Sequence, residues 1–341
     1  MLSALSGSVC DRLPAIGFGA APLGNLYRAR SDRDCADLLT AAWDGGLRYF
    51  DTAPLYGFGL SERRLGSFLQ TRPRDDFILS TKAGRVLKAN AAHHAQRDYF
   101  IDADPYEPHF DYSYDGIMRS YEDSLKRLGL DRIDILLMHD IGAATHGEDH
   151  GARFREAMSG GVRAMEELRR SGAVGAIGLG VNEWQVCAEA MTLATWDVML
   201  LAGRYTLLEQ DSIDFLNLCT DMNVRVIAAG VFNSGVLVAK HIEQATFNYD
   251  VAPPDIMARV KALAAICTKH NVPLGAAALQ FPWSHPAIST VLMGIGTRDE
   301  LTQNLDRARH ALPPALWTDL VAAKLLRADV PLPTKPLLAG M

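Results

Sequence analysis

The chain has 341 residues, of which 48% are hydrophobic and 22% are charged, and 40 acidic against 34 basic residues give a net charge of −6. This composition is typical of a globular protein that folds in water, and a negative chain without a basic run disfavours a nucleic-acid partner. No apolar stretch approaches the ~20 residues of a membrane-spanning helix, and the first residues carry no basic leader, so we expect a cytoplasmic protein outside any membrane.

Short β-rich runs alternate with helical segments eight times along the chain. Most of these runs are nearly continuous in apolar residues, which is typical of parallel strands buried on both faces. The eight predicted strands are Ala15 to Gly19, Leu47 to Asp51, Phe77 to Thr81, Ile133 to Met138, Ala173 to Leu179, Val198 to Leu201, Val224 to Ala228 and Ser289 to Met293.

Two of the intervening helices have clear ends in the sequence. One follows Ser113 and is predicted to end at Gly129, and the other ends before the breaker Asn271-Val272-Pro273. Neither segment is apolar all round, so both are expected to cover a sheet from outside. Their apolar stripes are Ile117, Tyr121, Leu125 and Leu128 in the first helix, and Ile256, Val260, Leu263 and Cys267 in the second.

Eight βα units without a low-complexity linker predict the α/β class and a (β/α)8 TIM barrel that takes residues 1–341 as one domain. The run Gly17-Phe18-Gly19-Ala20-Ala21-Pro22 lacks the last glycine of a dinucleotide fingerprint and has no helix directly after it, which disfavours a Rossmann fold. Long connections on the carboxyl side of strands are where barrel enzymes place their sites. The three long connections are Ala83 to Ser113, Asp140 to Arg155 and Gly230 to Pro254.

Polar side chains stand at or just after the carboxyl ends of three neighbouring predicted strands: Asp51 and Tyr56, then Lys82, then His139. A nearby cation favours the phenolate form of a tyrosine, and Lys82 can supply that cation. A partly buried lysine needs a counter-charge, which Asp51 can supply, while histidine can donate a hydrogen bond or shuttle a proton. Each residue alone is more often a turn, core or solvated residue, but together on one barrel face they indicate an active site.

The segment from Gly45 to Gly57, followed by Ser61-Glu62 and Leu65-Gly66, resembles the signature of the aldo-keto reductase family. The resemblance extends from Gly17 to Asn304. It implies that Tyr56 is the general acid/base, that Lys82 lowers the pKa of Tyr56, that Asp51 pairs with Lys82, and that His139 orients the substrate oxygen. It also implies a nicotinamide cofactor that carries the hydride.

Departures from the common family pattern bear on the choice of cofactor. Where many members have a lysine and an arginine that hold the adenosine 2′-phosphate, counting back from Gln303-Asn304 gives Gly294 and Glu300. An anion in place of cations disfavours a free phosphate. We therefore expect NAD to be preferred, with NADP possible and Arg298 the residue most able to weaken that preference.

The connection after the seventh strand lacks the tyrosine that stacks on nicotinamide in many relatives. Its Phe232-Asn233-Ser234-Gly235 run resembles the branch of the family that contains bacterial aldose 1-dehydrogenases and pyridoxal 4-dehydrogenases. The predicted cofactor contacts are these four residues together with Asp51, Gln303 and Asn304. Asn182 is a further candidate, for the carboxamide, although it can equally be a helix N-cap.

The branch implies an enzyme that oxidises the C1 hemiacetal hydroxyl of an aldose of the L-fucose, D-arabinose or L-galactose type to the lactone. The alternative substrate is pyridoxal, giving 4-pyridoxolactone. An alternative of another class is a cofactor-binding regulatory subunit resembling potassium-channel beta subunits, and a third is a general NADPH-dependent carbonyl reductase. The intact set of four residues disfavours the regulatory subunit, and the missing cations disfavour the reductase.

Two further groups of residues have side chains that can carry chemistry. The connection after the third strand is polar and aromatic, which suits hydroxyl recognition but equally suits a solvated loop; its residues are His93, His94, Arg97, Tyr99, Asp102, Asp104, Tyr106, Glu107 and His109. The run from His146 to His150 lacks metal-ligand spacing, and five scattered cysteines favour inert thiols, so we expect neither a metal site nor a disulfide. The sequence sets no oligomeric state.

Overall fold

Eight parallel strands close into one barrel in the computed structural model, which describes residues 8–90, 96–97, 99–239, 245–248 and 250–338. Each strand pairs with its neighbours in chain order, and the first strand pairs with the eighth. The strands are β1 Ile16–Gly19, β2 Tyr49–Asp51, β3 Ile78–Ala83, β4 Ile135–His139, β5 Ala176–Val181, β6 Val198–Ala202, β7 Arg225–Ala229 and β8 Ile288–Gly294. The predicted fold class and all eight predicted strands are confirmed.

Strand bounds differ from the prediction by up to three residues. Ile133 and Val174 are buried but lie before their strands, where the Asp134 carbonyl accepts from the amides of Gly175 and Ala176 at 2.9 and 3.0 Å. Their apolar character predicted strand at these positions, although the hydrogen-bonded ladder begins after them. The far ends of β3 and β4 run further than predicted because Lys82 pairs with Leu137 and His139 with Gly180.

The side chains that point into the barrel are apolar in its lower part and polar at its carboxyl end. Tyr49 and Asp51 share a face of β2, and Leu137 and His139 share a face of β4, because residues two apart point to the same side. The lower interior is apolar and is closed from below by the short turn Val9–Arg12. It contains Tyr49, Ile78, Ile135, Leu137, Ala176, Val198, Leu200, Ile227 and Leu292.

Helices form the outer layer and cover the strands with one contiguous apolar core. They are α1 Asp32–Asp44, α2 Leu60–Leu69, α3 Tyr114–Leu128, α4 Ala143–His146, α5 His150–Glu156, α6 Val162–Arg170, α7 Trp184–Met191, α8 Ile213–Asp221, α9 Pro254–Lys269, α10 Leu274–Gln280, α11 Arg298–Arg309 and α12 Pro314–Ala322. Both helices with predicted ends are confirmed. The Ser113 side chain caps α3 by accepting from the Gly116 amide, and Gly129 ends it with φ of 61°. Within the described ranges, none of the helices has the length and apolar character that crossing a bilayer requires.

The three long connections contain secondary structure of their own. The first holds an antiparallel pair, Arg85–Ala89 with Tyr106–Phe110, and the short strands Gln96–Arg97 and Phe100–Ile101. The second holds α4 and α5, and the third holds the two-residue strands Thr246–Phe247 and Asp250–Val251. His93 and His94 lie outside the described residues, as do the side-chain surroundings of Arg97.

Candidate active site

The structure brings the four predicted residues of the three strand ends together at the carboxyl end of the barrel. The Lys82 ammonium lies at the centre, where it donates to Asp51 Oδ1 at 2.7 Å and to Tyr56 Oη at 3.1 Å. Its remaining donor reaches the Thr52 carbonyl at 2.9 Å. The ring of His139 stands perpendicular to that of Tyr56, with 6.2 Å between the ring centres. The site therefore joins a phenol, an ammonium, a carboxylate and an imidazole.

Lys82 and Asp51 form an almost fully buried ion pair, with 2% of each side chain exposed. Burial alone lowers the pKa of the Lys82 ammonium, but the Asp51 carboxylate and the Tyr56 oxygen together raise it above its usual value. The second carboxylate oxygen of Asp51 accepts from Ser80 at 2.7 Å. Asp51 is therefore held by two donors, and Lys82 stays charged beside Tyr56.

The backbone that carries Tyr56 is set by a close approach between two loops. Gly57 has φ of 65°, and a Cβ placed on it would lie 2.5 Å from the carbonyl oxygen of Gly24, in the connection after β1. A Cβ on Gly24 would likewise lie 2.5 Å from the Tyr56 carbonyl carbon. Only glycine fits at both positions, so Gly24 and Gly57 allow the close approach of the two loops that positions the backbone of Tyr56.

The two other signature residues, Ser61 and Glu62, are structural. The Ser61 hydroxyl donates to the Ala20 carbonyl at 2.7 Å, which ties α2 to the end of β1. Glu62 is fully buried and accepts from Thr81 at 2.7 Å and from Arg127 at 2.6 Å. These bonds hold α2 against β3 and α3, and thereby support the strands that carry the site.

His139 lies against a wall that sequence reasoning did not identify. Asp140 Oδ2 is 3.4 Å from His139 Nε2 and 2.6 Å from the Arg85 guanidinium. The Tyr112 hydroxyl donates to the His139 carbonyl at 2.7 Å. Burial, followed by the charges of Arg85 and Lys82, lowers the pKa of His139 well below its usual value, so the imidazole is neutral at physiological pH.

Asp140 and Arg85 follow directly after His139 and after Lys82-Ala83-Gly84, at the ends of β4 and β3. That position was a usable signal, because residues at strand ends of a barrel face its mouth. Burial raises the pKa of the Asp140 carboxyl, and the adjacent Arg85 opposes that rise. The Arg85 guanidinium also packs 4.6 Å above the ring of Phe110, from the antiparallel pair that follows β3.

The predicted cofactor residues after β7 form a tight left-handed turn. Asn233, Ser234 and Gly235 have φ of 45°, 58° and 95°. The Asn233 amide nitrogen donates to the Gly203 carbonyl at 3.2 Å, while its buried oxygen has no partner among the described residues. A buried acceptor left open at the barrel mouth fits a bound molecule that donates a hydrogen bond.

Asn182 lies directly after β5, half-buried, and its carbonyl accepts from the Arg204 side chain at 2.8 Å. The N-cap of α7 is Glu183, so the interpretation of Asn182 as an N-cap is wrong. Asn182 lines a cavity of about 560 Å³ at the ends of β5 and β6. The other lining residues are Glu183, Trp184, Gln185, Arg204, Glu209 and Asp211.

The predicted cofactor residues in this region run from the last residue of β8, Gly294, to the middle of α11, where Gln303 and Asn304 lie. Gly294 is exposed, and a Cβ there would meet no atom within 4 Å. The Glu300 carboxylate accepts from the Gly296 amide at 2.7 Å, and the amide of Glu300 donates to the N-cap Thr297. Glu300 thus also forms part of a capping arrangement for α11.

The expectation that cations are missing here was incomplete. Arg30 and Arg307 both lie within electrostatic range of Glu300. Arg307 donates to Asn304 at 2.7 Å and to Gln303 at 3.3 Å, and Arg30 donates to the Gly296 carbonyl at 2.9 Å. Both arginines lie outside the two positions, Gly294 and Glu300, at which many family members have cations, and both donate hydrogen bonds to protein acceptors.

The described residues fit a nicotinamide cofactor across the mouth of the barrel. The open oxygen of Asn233 and the unobstructed surface at Gly294 leave room for such a group there. No group of three or more histidine, cysteine, aspartate or glutamate residues suited to a metal ion occurs in the part of the chain that the structure describes. All five cysteines are buried, and burial raises the pKa of each thiol, to about 12 for Cys10 and Cys219.

Known proteins resemble this chain over most of its length. Pyridoxal 4-dehydrogenase from Microbacterium luteolum is 42% identical over 92% of this chain and 94% of the relative. D-threo-aldose 1-dehydrogenase from a Pseudomonas species is 41% identical over 92% of this chain and 95% of the relative. Among solved structures, the holo form of an aldo-keto reductase from Bacillus halodurans shares the fold, with a TM-score of 0.71 and 22% identity over 93% of this chain and 94% of its own. The Aldo/keto reductase family model matches residues 15–324, and the chain therefore belongs to the aldo/keto reductase family.

Proposed function

We propose that this protein oxidises the C1 hemiacetal hydroxyl of an aldose to the lactone, with NAD as the preferred hydride acceptor. The observation that carries the proposal is the Asp51–Lys82–Tyr56 chain of contacts at 2.7 and 3.1 Å at the barrel mouth. The similarity to a D-threo-aldose 1-dehydrogenase over nearly the whole chain supports the substrate class.

Tyr56 acts as the proton acceptor in the proposed reaction. The Lys82 ammonium favours the phenolate, which takes the proton from the C1 hydroxyl as the C1–O bond becomes a carbonyl. His139 is neutral and donates from Nε2 to the same oxygen, which holds the C1 hydroxyl beside Tyr56. Asp51 keeps Lys82 charged through the cycle, and the proton on Tyr56 leaves to solvent after product release.

The residues that would hold the cofactor are Asn182, Phe232, Asn233 to Gly235, Gly294 and Glu300. When bound there, a nicotinamide cofactor accepts the hydride from C1. Gln303 and Asn304 support this surface through Arg307, whose guanidinium lies 5.6 Å from the ring centre of Phe232. The lower barrel interior is apolar and packed, so the reaction is confined to the mouth.

The preference for NAD rests on the carboxylate of Glu300. A 2′-phosphate carries between one and two negative charges at neutral pH, and Glu300 repels it, while Arg30 and Arg307 are engaged with protein acceptors. Glu300→Gln keeps the acceptor for the Gly296 amide and removes the charge. We expect the variant to raise kcat/KM for NADP relative to NAD about tenfold.

The matched control is Asp299→Asn, a neutralised carboxylate in the same helical turn whose side chain caps nothing in α11. It should change the ratio much less than Glu300→Gln does. A wild-type enzyme that favours NADP in kcat/KM would overturn the cofactor proposal, whatever the variants do.

Pyridoxal is the second candidate substrate, because the relative that acts on it is as similar to this chain as the aldose dehydrogenase. A cyclic pyridoxal hemiacetal presents the same hydroxyl and hydrogen to Tyr56 and the cofactor. A regulatory subunit needs no ordered proton acceptor, so the Asp51–Lys82–Tyr56 contacts favour an enzyme.

The test is NAD-linked turnover with L-fucose, D-arabinose, L-galactose, L-xylose and pyridoxal, followed as NADH formation. Steady turnover with one or more aldoses and formation of the corresponding lactone are expected. Turnover of pyridoxal alone would assign the second candidate, and cofactor binding without turnover of any of the five compounds would favour the regulatory alternative.

A further inference from the structure

Asp140 is placed beside the reacting centre by an unusual backbone conformation. A residue that follows His139 in an extended strand would point away from the barrel interior. Asp140 instead has φ of 50°, in the left-handed region that a non-glycine residue seldom adopts. This turn ends the alternation and brings the Asp140 carboxylate to 3.4 Å from Nε2 of His139.

Asp140 is held through both its side chain and its backbone. Arg85 donates to Asp140 Oδ2 at 2.6 Å, and only 10% and 16% of the two side chains are exposed. The Tyr112 hydroxyl lies 2.7 Å from the His139 carbonyl and 3.1 Å from the Asp140 carbonyl. Holding a strained, nearly buried residue such as Asp140 in one geometry is typical of a functional site.

The pair His139 and Asp140 offers a donor and an acceptor side by side. Asp140 Oδ2 lies 3.4 Å from His139 Nε2, which is longer than an ordinary hydrogen bond, so a proton on Nε2 remains available for donation to an oxygen in the mouth. The Asp140 carboxylate can accept a hydrogen bond, and the Arg85 guanidinium at 2.6 Å favours its ionised form. The two oxygens of a vicinal diol are separated by about the spacing between these two side-chain atoms, so the diol can engage both at once.

We propose that Asp140, oriented by Arg85, recognises the hydroxyl on the carbon next to the reacting carbon, so that the enzyme selects 2-hydroxy aldoses over their 2-deoxy counterparts. This inference rests on the proposed aldose oxidation. The C1 oxygen accepts from His139 and gives its proton to Tyr56, while the C2 hydroxyl donates to Asp140. Asp140 is thus a specificity residue that does not take part in the proton transfer.

The test compares sugars that differ in the C2 hydroxyl, namely D-arabinose with 2-deoxy-D-ribose and L-galactose with 2-deoxy-L-galactose. Wild-type kcat/KM should favour the 2-hydroxy sugar about 10- to 100-fold, the range of one hydrogen bond to a charged group. In Asp140→Asn the side-chain oxygen still accepts but carries no charge, so the preference should fall about 3- to 10-fold, with most of the loss in KM for the 2-hydroxy sugar. Taking the ratio of the two preferences cancels the intrinsic difference in reactivity between the sugars.

Two further variants separate recognition from folding. Asp140→Glu keeps the charge for Arg85 and displaces the carboxylate, so kcat/KM should fall for the 2-hydroxy sugar and hold for the deoxy sugar. Asp197→Asn neutralises a carboxylate paired with Arg169 at 2.8 Å, ahead of β6 at the opposite end of the barrel, and should leave the preference intact.

A wild-type enzyme without a 2-hydroxy preference, or an Asp140→Asn variant that keeps it, would overturn the inference while leaving aldose oxidation in place. Equal losses for both sugars in Asp140→Glu would also overturn it. If neither sugar of either pair is oxidised, the proposed function fails, and the inference fails with it.

Discussion

Replacing Lys82 by methionine removes the ammonium that lies 3.1 Å from Tyr56 Oη. At that distance an effective dielectric constant of about 20 gives an attraction of about 5 kcal/mol between an ammonium and a phenolate. Water at the mouth weakens this attraction, and opposite charges at such range lower a pKa by about 1–3 units. We therefore expect kcat/KM at pH 7 to fall about 10- to 1000-fold.

The assay is the pH dependence of kcat/KM for NAD-linked oxidation of the best aldose. In Lys82→Met the apparent pKa of the rising limb should move upward by about 1–3 units, so that activity returns as the pH is raised. Because the single variant leaves Asp51 buried and unpaired, the double variant Lys82→Met/Asp51→Asn, which buries no lone charge, is measured beside it.

Lys88→Met, at an exposed position on the strand that follows Gly84, is the control for the loss of a positive charge. It should leave the pH profile unchanged. If both Lys82 variants keep the wild-type apparent pKa while cofactor binding is intact, the role assigned to Lys82 is refuted. A uniform loss of activity at all pH values would likewise contradict it, because removing the cation should move the profile along the pH axis.

Three further changes test the scaffold of the site. Glu62→Ala leaves the Arg127 guanidinium without its buried carboxylate, so the free energy of unfolding from urea titration should fall by about 3–5 kcal/mol. Gly180→Ala puts a Cβ 3.2 Å from Lys82 Cε, and should lower kcat while changing the urea midpoint little. Burial lowers the pKa of His285 to about 4, below the value of about 6.5 of an unperturbed histidine. The free energy of unfolding should therefore be highest above pH 6.5 and fall by up to about 3 kcal/mol as the pH drops toward 4. His285→Gln should flatten that slope.

Each of these changes has a result that would count against it. Asp75→Ala removes the carboxylate of an exposed ion pair with Arg132 and should leave the urea midpoint unchanged within error. A loss equal to that of Glu62→Ala would show that burial of the Glu62–Arg127 pair does not set its contribution to stability. Unchanged kcat in Gly180→Ala would show that Lys82 has room to shift. An acid slope that persists in His285→Gln would place the titrating group elsewhere.

The barrel could be predicted because buried strands and amphipathic helices leave strong patterns. Ser113 and Gly129 marked the ends of α3 by local chemistry, a cap and a left-handed residue, and both hold. The limits of β4 and β5 could not be read so closely, because Ile133 and Val174 are buried without joining the ladder. Burial and strand pairing are separate properties, and the pattern of apolar residues along the sequence indicates only burial.

The grouping of Asp51, Tyr56, Lys82 and His139 could be predicted because carboxyl ends of neighbouring barrel strands meet at one face. Arg85 and Asp140 were missed, although they adjoin the same strand ends. Their position at strand ends was a signal, but their contact with each other and with His139 depends on the left-handed turn at Asp140, which the sequence pattern does not give. Arg30 was missed because it approaches Glu300 from the connection after β1, whereas Arg307 lies two turns further along α11 than Glu300 and was overlooked.

The most direct test of the proposed reaction uses an aldose that carries deuterium at C1, incubated with the protein and NAD. The proposal predicts that the label passes to the nicotinamide, that one lactone forms for each NADH, and that Tyr56→Phe nearly abolishes both. Formation of NADH without deuterium, or near-normal label transfer in Tyr56→Phe, would contradict it.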